Sequence, residues 1–260
     1  MQEIVVSPIH FNLEKAKGLV FPKLSTDKIN LLSIERFSCG VPGTCAEGLS
    51  RRVYVLYNLK RCFPDAKVIF VIRKQNELAC AYYTEYVKSG GIKRLEEVCG
   101  FLKNNRLSLP ALHFFQFSDY VNALKTFFLS GVLVLPFEEL ALNSELFLKK
   151  LNNFIGIEYV PIELKKLNKS KYSWLQLEIL RFTNRFFKGR LNPNALFPGV
   201  SIKEVNRRHN PYRLLLAKQK TVGKQETLRQ KTNFILDLMK TDNEKLDREH
   251  NLNLKRYGYY

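Results

Sequence analysis

The spacing of apolar positions changes once between Phe63 and Gly91, and the change marks a strand followed by a helix. Lys67 to Ile72 is a short, β-branched apolar run without alternation, set off by Pro64 and Asp65, which predicts a strand buried on both faces of a parallel sheet. From Asn76, a residue suited to capping a helix, Leu78, Tyr82 and Tyr86 recur at i, i+4 and i+8, which predicts a helix with one apolar face. Upstream, Leu49, Val53, Leu56, Leu59 and Phe63 recur at helical intervals along Glu47 to Phe63. Downstream, Gly90-Gly91 breaks the chain before a further helix near Ile92 to Lys103, and Ser118 is placed to cap one that delivers Phe127 and Phe128 ahead of the next strand. Crossovers of this kind imply a doubly wound parallel sheet with helices on its faces. After Gly156 the pattern changes. Leu175, Ile179, Phe182 and Phe186 form one helical stripe, expected to pack into the core, with Lys171, Arg181 and Arg185 elsewhere around the helix. The carboxyl half is therefore expected to be mainly helical. Asn192 to Ser201, with Pro193, Pro198 and Gly199, reads as a loop that covers a cleft or simply connects two elements.

Arg73 directly follows the predicted strand at Lys67 to Ile72. Ligands of open parallel sheets bind beyond the carboxyl ends of the strands, where a helix amino terminus adds free N–H groups and partial positive charge. An anion suits that place, and a guanidinium there grips it through two parallel hydrogen bonds. The competing reading is an ordinary surface arginine.

The chain has 260 residues with 45% hydrophobic content, enough for a sizeable core, and a single domain over 1–260 is the simplest count. Within it an α/β core is expected over about 30–160 and a helical part over about 161–260. A net charge of +18 favours anionic partners without specifying them. The segment from Ile202 to Lys231 concentrates the excess, with nine Lys or Arg (Arg207, Arg208, Arg213, Lys218, Lys220 and Lys224 among them) against two Glu. It reads either as a solvated basic face or as a cover for an anionic ligand. Five cysteines, Cys39, Cys45, Cys62, Cys80 and Cys99, are odd in number and lack paired spacing, so neither a disulfide framework nor a zinc ribbon is expected, and a reducing cytosol fits. No apolar run has the length to span a bilayer, and the first residues lack a secretory pattern, so a cytoplasmic protein is expected.

Several separate segments resemble the sulfotransferases that use the activated sulfate donor PAPS (3′-phosphoadenosine 5′-phosphosulfate), and their bacterial branch in particular. The family's K-hydrophobic-I-R strand is matched by Lys67 to Arg73. Val132 to Ile157 resembles its next strand, its acidic P-[YF]-E-x-L turn and the helix ending at F-[LI]-G. The stretch from Asp242 resembles the closing N-x-x-L…L-x-x-Y-G-Y pattern, and Leu32 to Phe37, LSIERF, a segment with S-x-E. The resemblance implies a P-loop-NTPase-like parallel sheet flanked by helices with a mainly helical carboxyl part, PAPS as co-substrate with the bisphosphate product PAP, no metal, and a small-molecule or glycan acceptor. It assigns Arg73 to the donor's 3′-phosphate and makes Glu35 the candidate base.

Two features depart from the family pattern. The serine that pairs with the arginine is expected eight residues on, where Ala81 stands, and the first phosphate loop, a K-[ST]-G-[ST]-[ST]-like turn, is not found. Gly40-Val41-Pro42-Gly43-Thr44 and Ser89-Gly90-Gly91-Ile92-Lys93 both read as ordinary loops. Either Met1 is a late start on a longer protein, or the chain is a reduced relative. Transfer of a sulfuryl group needs an acceptor hydroxyl or amine deprotonated as it attacks in line, with cations on the donor phosphates. For Glu35 the competing reading is a solvent-facing or capping glutamate. His113, beside Phe114 and Phe115, is expected to be half-buried, and Glu138 and Glu139 to shape a turn and meet neighbouring helix ends. Two readings stand beside the transferase: a truncated, inactive relative, and a basic nucleic-acid-binding protein. The aromatics fall on helical core stripes rather than alternating with Lys and Arg on a strand, so no specific nucleic acid is expected.

Overall fold

The computed structural model of the chain describes residues 11–33, 43–162, 172–201 and 225–260. Helix α1 (Leu13–Val20) begins at Asn12, whose side chain accepts the Lys15 N–H, and runs into a single 3₁₀ turn, Phe21–Lys23. Helix α2 (Cys45–Cys62) begins at Thr44, which accepts the Glu47 N–H. Strand β1 (Val68–Ile72) and helix α3 (Gln75–Lys88) follow, then α4 (Leu95–Cys99), the hairpin of β2 (Phe101–Leu102) and β3 (Arg106–Leu107), and helices α5 (Leu109–Phe115) and α6 (Phe117–Phe127). Strand β4 (Val132–Pro136) leads into α7 (Phe137–Leu142) and α8 (Ser144–Ile155). The carboxyl part holds α9 (Trp174–Thr183), the short strands β5 (Phe187–Lys188) and β6 (Phe197–Ser201), α10 (Gln225–Thr232), α11 (Phe234–His250) and a closing 3₁₀ turn, Leu254–Tyr257.

The architecture is mixed α/β. Strands β1 and β4 pair in parallel, from Val68 opposite Val132 to Ile72 opposite Pro136, with helices packed around them. Among the described residues this parallel sheet has two strands, fewer than a doubly wound fold leads one to expect. One apolar cluster joins Ile72 and Val134 of the strands to Phe117, Val121, Leu246, Leu254 and Tyr259. A second is wholly helical and sets Tyr83, Val87 and Leu95 against Phe114, Leu177, Ile235 and Met239. Both clusters draw on residues before and after Gly156, and through the first of them the helical carboxyl part shares a core with the sheet. No described helix is long and apolar enough to cross a membrane.

Several local expectations are corrected. The helix foreseen near Ile92 to Lys103 stops at Cys99, where Gly100 takes φ 69°. Asn104 and Asn105, both at positive φ, then turn the chain into the β2–β3 hairpin, a conformation asparagine tolerates better than most side chains. Asn76 does not cap α3: the N-cap position is Lys74, without a side-chain bond, and Asn76 lies in the first turn with its amide donating to Asn233 Oδ1 at 2.8 Å. Ser118 is likewise no cap. The first N–H groups of α6, Phe117 at 2.9 Å and Ser118 at 3.4 Å, are taken by Asp242 from α11, which also accepts the Ser118 hydroxyl. On α2, Val53 is exposed, and Arg52 is buried in the neighbourhood of the stripe instead, its guanidinium over the Phe114 and Tyr120 rings and its Nη1 donating to the Phe114 carbonyl at 2.7 Å. The stripe on α9 faces outward: Leu175, Ile179 and Phe182 are exposed, while Leu177 and Gln176 are buried and the Glu178–Arg181 pair meets Tyr83. The segment read as a loop over Asn192 to Ser201 ends in β6, parallel to β5.

The turn after α3 is not a phosphate loop. Gly90, at φ 94°, brings the backbone so close to Gly189 that a Cβ on Gly90 would lie 2.8 Å from the Gly189 Cα. Asn184 fastens this contact, donating from Nδ2 to the carbonyls of Val87 at 2.8 Å and Gly91 at 2.9 Å. Of the other candidate loop, Gly40, Val41 and Pro42 lie outside the described residues, and its Thr44 serves α2 as a cap.

His250, at the last turn of α11, has a buried Nε2 with no hydrogen-bond partner among the described residues, and burial followed by the charge of Lys125 lowers its pKa, with Glu249 opposing. A histidine that protonates less readily when folded leaves stability intact above its ordinary value of about 6.5, and stability is lost as pH falls from there through the depressed folded value. Urea midpoints measured from pH 7.5 down to 5 are expected to decline, and His250→Gln is expected to flatten that decline. An unchanged slope in the variant would assign the pH dependence elsewhere.

Candidate functional site

The parallel pairing sets the carboxyl ends of β1 and β4 side by side, so the residues that follow each strand meet. Arg73 leaves β1 and Phe137 opens α7 after β4, and the Arg73 guanidinium lies 5.4 Å from the centre of the Phe137 ring. The α3 amino terminus, without a capping side chain of its own, is served from across the sheet: the Lys74 N–H donates to Glu138 Oε1 at 3.1 Å. A carboxylate there satisfies an open N–H and the positive end of the helix dipole. The second oxygen of Glu138 accepts the Tyr259 hydroxyl at 2.7 Å. Burial, then the neighbouring Glu138 charge, pushes the Tyr259 hydroxyl far above the usual tyrosine range, so it stays protonated and donates.

Glu139, 1% exposed, receives Lys150 Nζ at 2.7 Å and the Tyr257 hydroxyl at 3.2 Å on Oε1. Its Oε2 has no hydrogen-bond partner among the described residues. Behind Arg73, Gln75 and Asn243 exchange amide hydrogen bonds at 2.7 and 3.2 Å, and Asn243 Nδ2 also donates to the Tyr259 carbonyl at 3.1 Å. These buried amides tie α3, α11 and the closing segment into one frame, each finding the partners that a buried polar group requires.

Arg73 itself pairs with Glu77, Nη2 to Oε2 at 3.2 Å, one turn along α3. The other oxygen of Glu77 is held by Arg229 of α10, Nε to Oε1 at 2.6 Å. The junction of α10 and α11 is held to α3 by the Asn76–Asn233 bond, and the hydroxyl of Thr232, the last residue of α10, lies 3.5 Å from Cys80 Sγ. Burial pushes the Cys80 thiol up to about 11, so it is no thiolate nucleophile at neutral pH. Cys45, Cys62 and Cys99 are buried free thiols.

Of the residues singled out from the sequence, Arg73 stands at the strand end with its side chain 36% exposed, and Ala81 lies two turns into α3, half-buried. Glu35, Cys39, His10, His209 and the arginines and lysines between 202 and 224 lie outside the described residues. His113 is exposed rather than half-buried, 3.9 Å from Asp119. Glu138 does meet a helix end. Sequence reasoning missed Glu77 and Arg229; the i, i+4 spacing of Arg73 and Glu77 was a signal for the first pair, and none existed for Arg229. Among the described residues no cluster of three or more His, Cys, Asp or Glu is arranged to hold a metal ion. Comparison of the chain with family models, curated proteins and solved structures finds no match in any of the three.

Proposed function

We propose that the chain is a cytoplasmic PAPS-dependent sulfotransferase with a P-loop-NTPase-like sheet, moving a sulfuryl group from the donor to a hydroxyl or amine of a carbohydrate or related metabolite. One observation carries the reading. Three segments that resemble the family and lie far apart in sequence, the strand ending at Arg73, the Pro136-Phe137-Glu138 turn and the closing Tyr257-Gly258-Tyr259, converge at one end of the β1–β4 pair. In this reading Arg73 holds the donor's 3′-phosphate and Glu35 takes the acceptor proton as the acceptor attacks in line. Calorimetric titration with adenosine 3′,5′-bisphosphate at moderate salt is expected to give micromolar binding, about 8 kcal/mol. Arg73→Ala is expected to weaken it by about thirtyfold, the loss of a charge-assisted bidentate contact. Absence of binding by the unaltered chain would overturn the donor site.

A second reading has its own support. Arg73 is already paired with Glu77, and the N–H that opens α3 is already taken by Glu138. A relative that keeps the frame but no longer uses the donor would look like this, and it predicts a flat titration with the bisphosphate.

A further inference from the structure

We propose that Arg73 and Arg229 form a two-arginine clamp for a phosphate monoester dianion, and that Glu77 is the clamp's internal counter-ion, displaced when the anion enters. The nucleotide identity of the ligand rests on the sulfotransferase reading; the clamp itself does not. An i, i+4 ion pair on a half-exposed helix needs only one cation and contributes little to stability. Here a single carboxylate receives two guanidinium groups from different helices, Arg73 on Oε2 and Arg229 on Oε1, and the trio keeps one positive charge in excess. Among the described residues neither arginine has another carboxylate within ion-pair distance.

The arrangement is open on the arginine side and closed on the glutamate side. The Glu77 side chain is 15% exposed, whereas Arg73 and Arg229 are 36% and 50% exposed, so solvent reaches the cations that would hold the anion. Arg73 lies against the Phe137 ring, and the carboxyl end of α10 beside Arg229 is fixed by Thr232 and by Asn233 just after it, so both cations are positioned without a ligand. A planar guanidinium matches carboxylate and phosphate oxygens alike, so the two Glu77 oxygens mark where two phosphate oxygens would sit. A dianion carries twice the charge of the carboxylate it replaces and gains correspondingly from the same two cations. Glu77 thus shields the pair when no anion is present and sets a threshold on how strongly an anion must bind.

The test uses inorganic phosphate as the probe, titrated by calorimetry at low salt against the whole chain and its variants. Glu77→Gln is expected to bind phosphate about tenfold more tightly than the unaltered chain, and Arg229→Ala about tenfold more weakly. In the double variant the gain is expected to vanish. Lys231→Ala, which removes a charge from the same helix but outside the trio, is expected to leave binding unchanged. The clamp is overturned if Arg229→Ala binds as the unaltered chain does, if Glu77→Gln fails to tighten binding, or if Lys231→Ala costs as much as Arg229→Ala. Should Glu77→Gln not fold, the half-exposed Arg229 decides the matter alone, against Lys231→Ala. Phosphate results that follow this pattern while adenosine 3′,5′-bisphosphate binds no better than phosphate would keep the clamp and remove the sulfotransferase reading. Tight binding of the bisphosphate that ignores Arg229 would do the reverse.

Discussion

Replacing Tyr259 with alanine is expected to lower the free energy of unfolding by about 4 kcal/mol, seen as a fall in the urea midpoint with an unchanged slope. Tyr259 is fully buried and packs in the cluster that contains Ile72, Val134 and Phe117, so its removal opens a ring-sized space against both strands. Its hydroxyl also donates to Glu138, the carboxylate that caps α3 beside Arg73. Tyr259→Phe separates the two contributions. The ring stays, the hydrogen bond goes, and a loss of only about 1 to 2 kcal/mol is expected, with the Glu138 oxygen left short of a donor. If alanine cost no more than phenylalanine, the ring would not be the part that holds the segment in place.

Gly90→Ala is expected to cost about 3 kcal/mol. Part of this is backbone strain, roughly 1 to 2 kcal/mol for a residue with a Cβ at φ 94°. The rest is overpacking, because the new carbon would lie 2.8 Å from the Gly189 Cα and 3.3 Å from the Arg190 nitrogen, backbone atoms that cannot rotate away. Gly156 supplies the comparison. It ends α8 at φ 81°, and a methyl group added there would meet nothing within 4 Å, so Gly156→Ala is expected to show the strain alone, about 1 kcal/mol. Equal losses at the two glycines, measured by chemical denaturation, would show that the approach of Gly90 to Gly189 relaxes freely.

The strand at Lys67 to Ile72, the helix after it and the strand before Pro136 were legible because their apolar runs are bounded by turn residues, but β1 is not buried on both faces as its run promised: Phe70 and Ile72 are buried and Val71 is exposed. The closing N-x-x-L…L-x-x-Y-G-Y pattern was read from the resemblance rather than from periodicity; Asn243, Leu246, Leu254, Tyr257 and Tyr259 are buried, whereas Gly258, the remaining fixed position, is exposed. Where pattern misled, a distant partner had decided the outcome. The α9 stripe promised burial, yet a ten-residue helix docks through Leu177, Gln176 and the Glu178–Tyr83 bond, and apolar side chains on its other side face water. Nothing local to Arg52 announces its burial, which depends on Phe114 and Tyr120 from two later helices. Of the candidate site, Arg73 was readable from its place at a strand end, whereas Arg229 reaches Glu77 only through the packing of α10 on α3, which no spacing in the sequence records.

Helix α6 has no cap of its own; Asp242 of α11 supplies it, just as Asn243 of α11 completes the amide pair of α3. An uncapped helix of eleven residues is marginal in isolation. Helix α6 therefore owes part of its stability to the docking of α11, and the two are expected to open and close together although more than a hundred residues of chain separate Ser118 from Asp242. Closing a loop of that length costs chain entropy before the contact repays it, so the frame around Arg73 depends on two distant stretches of the sequence having met.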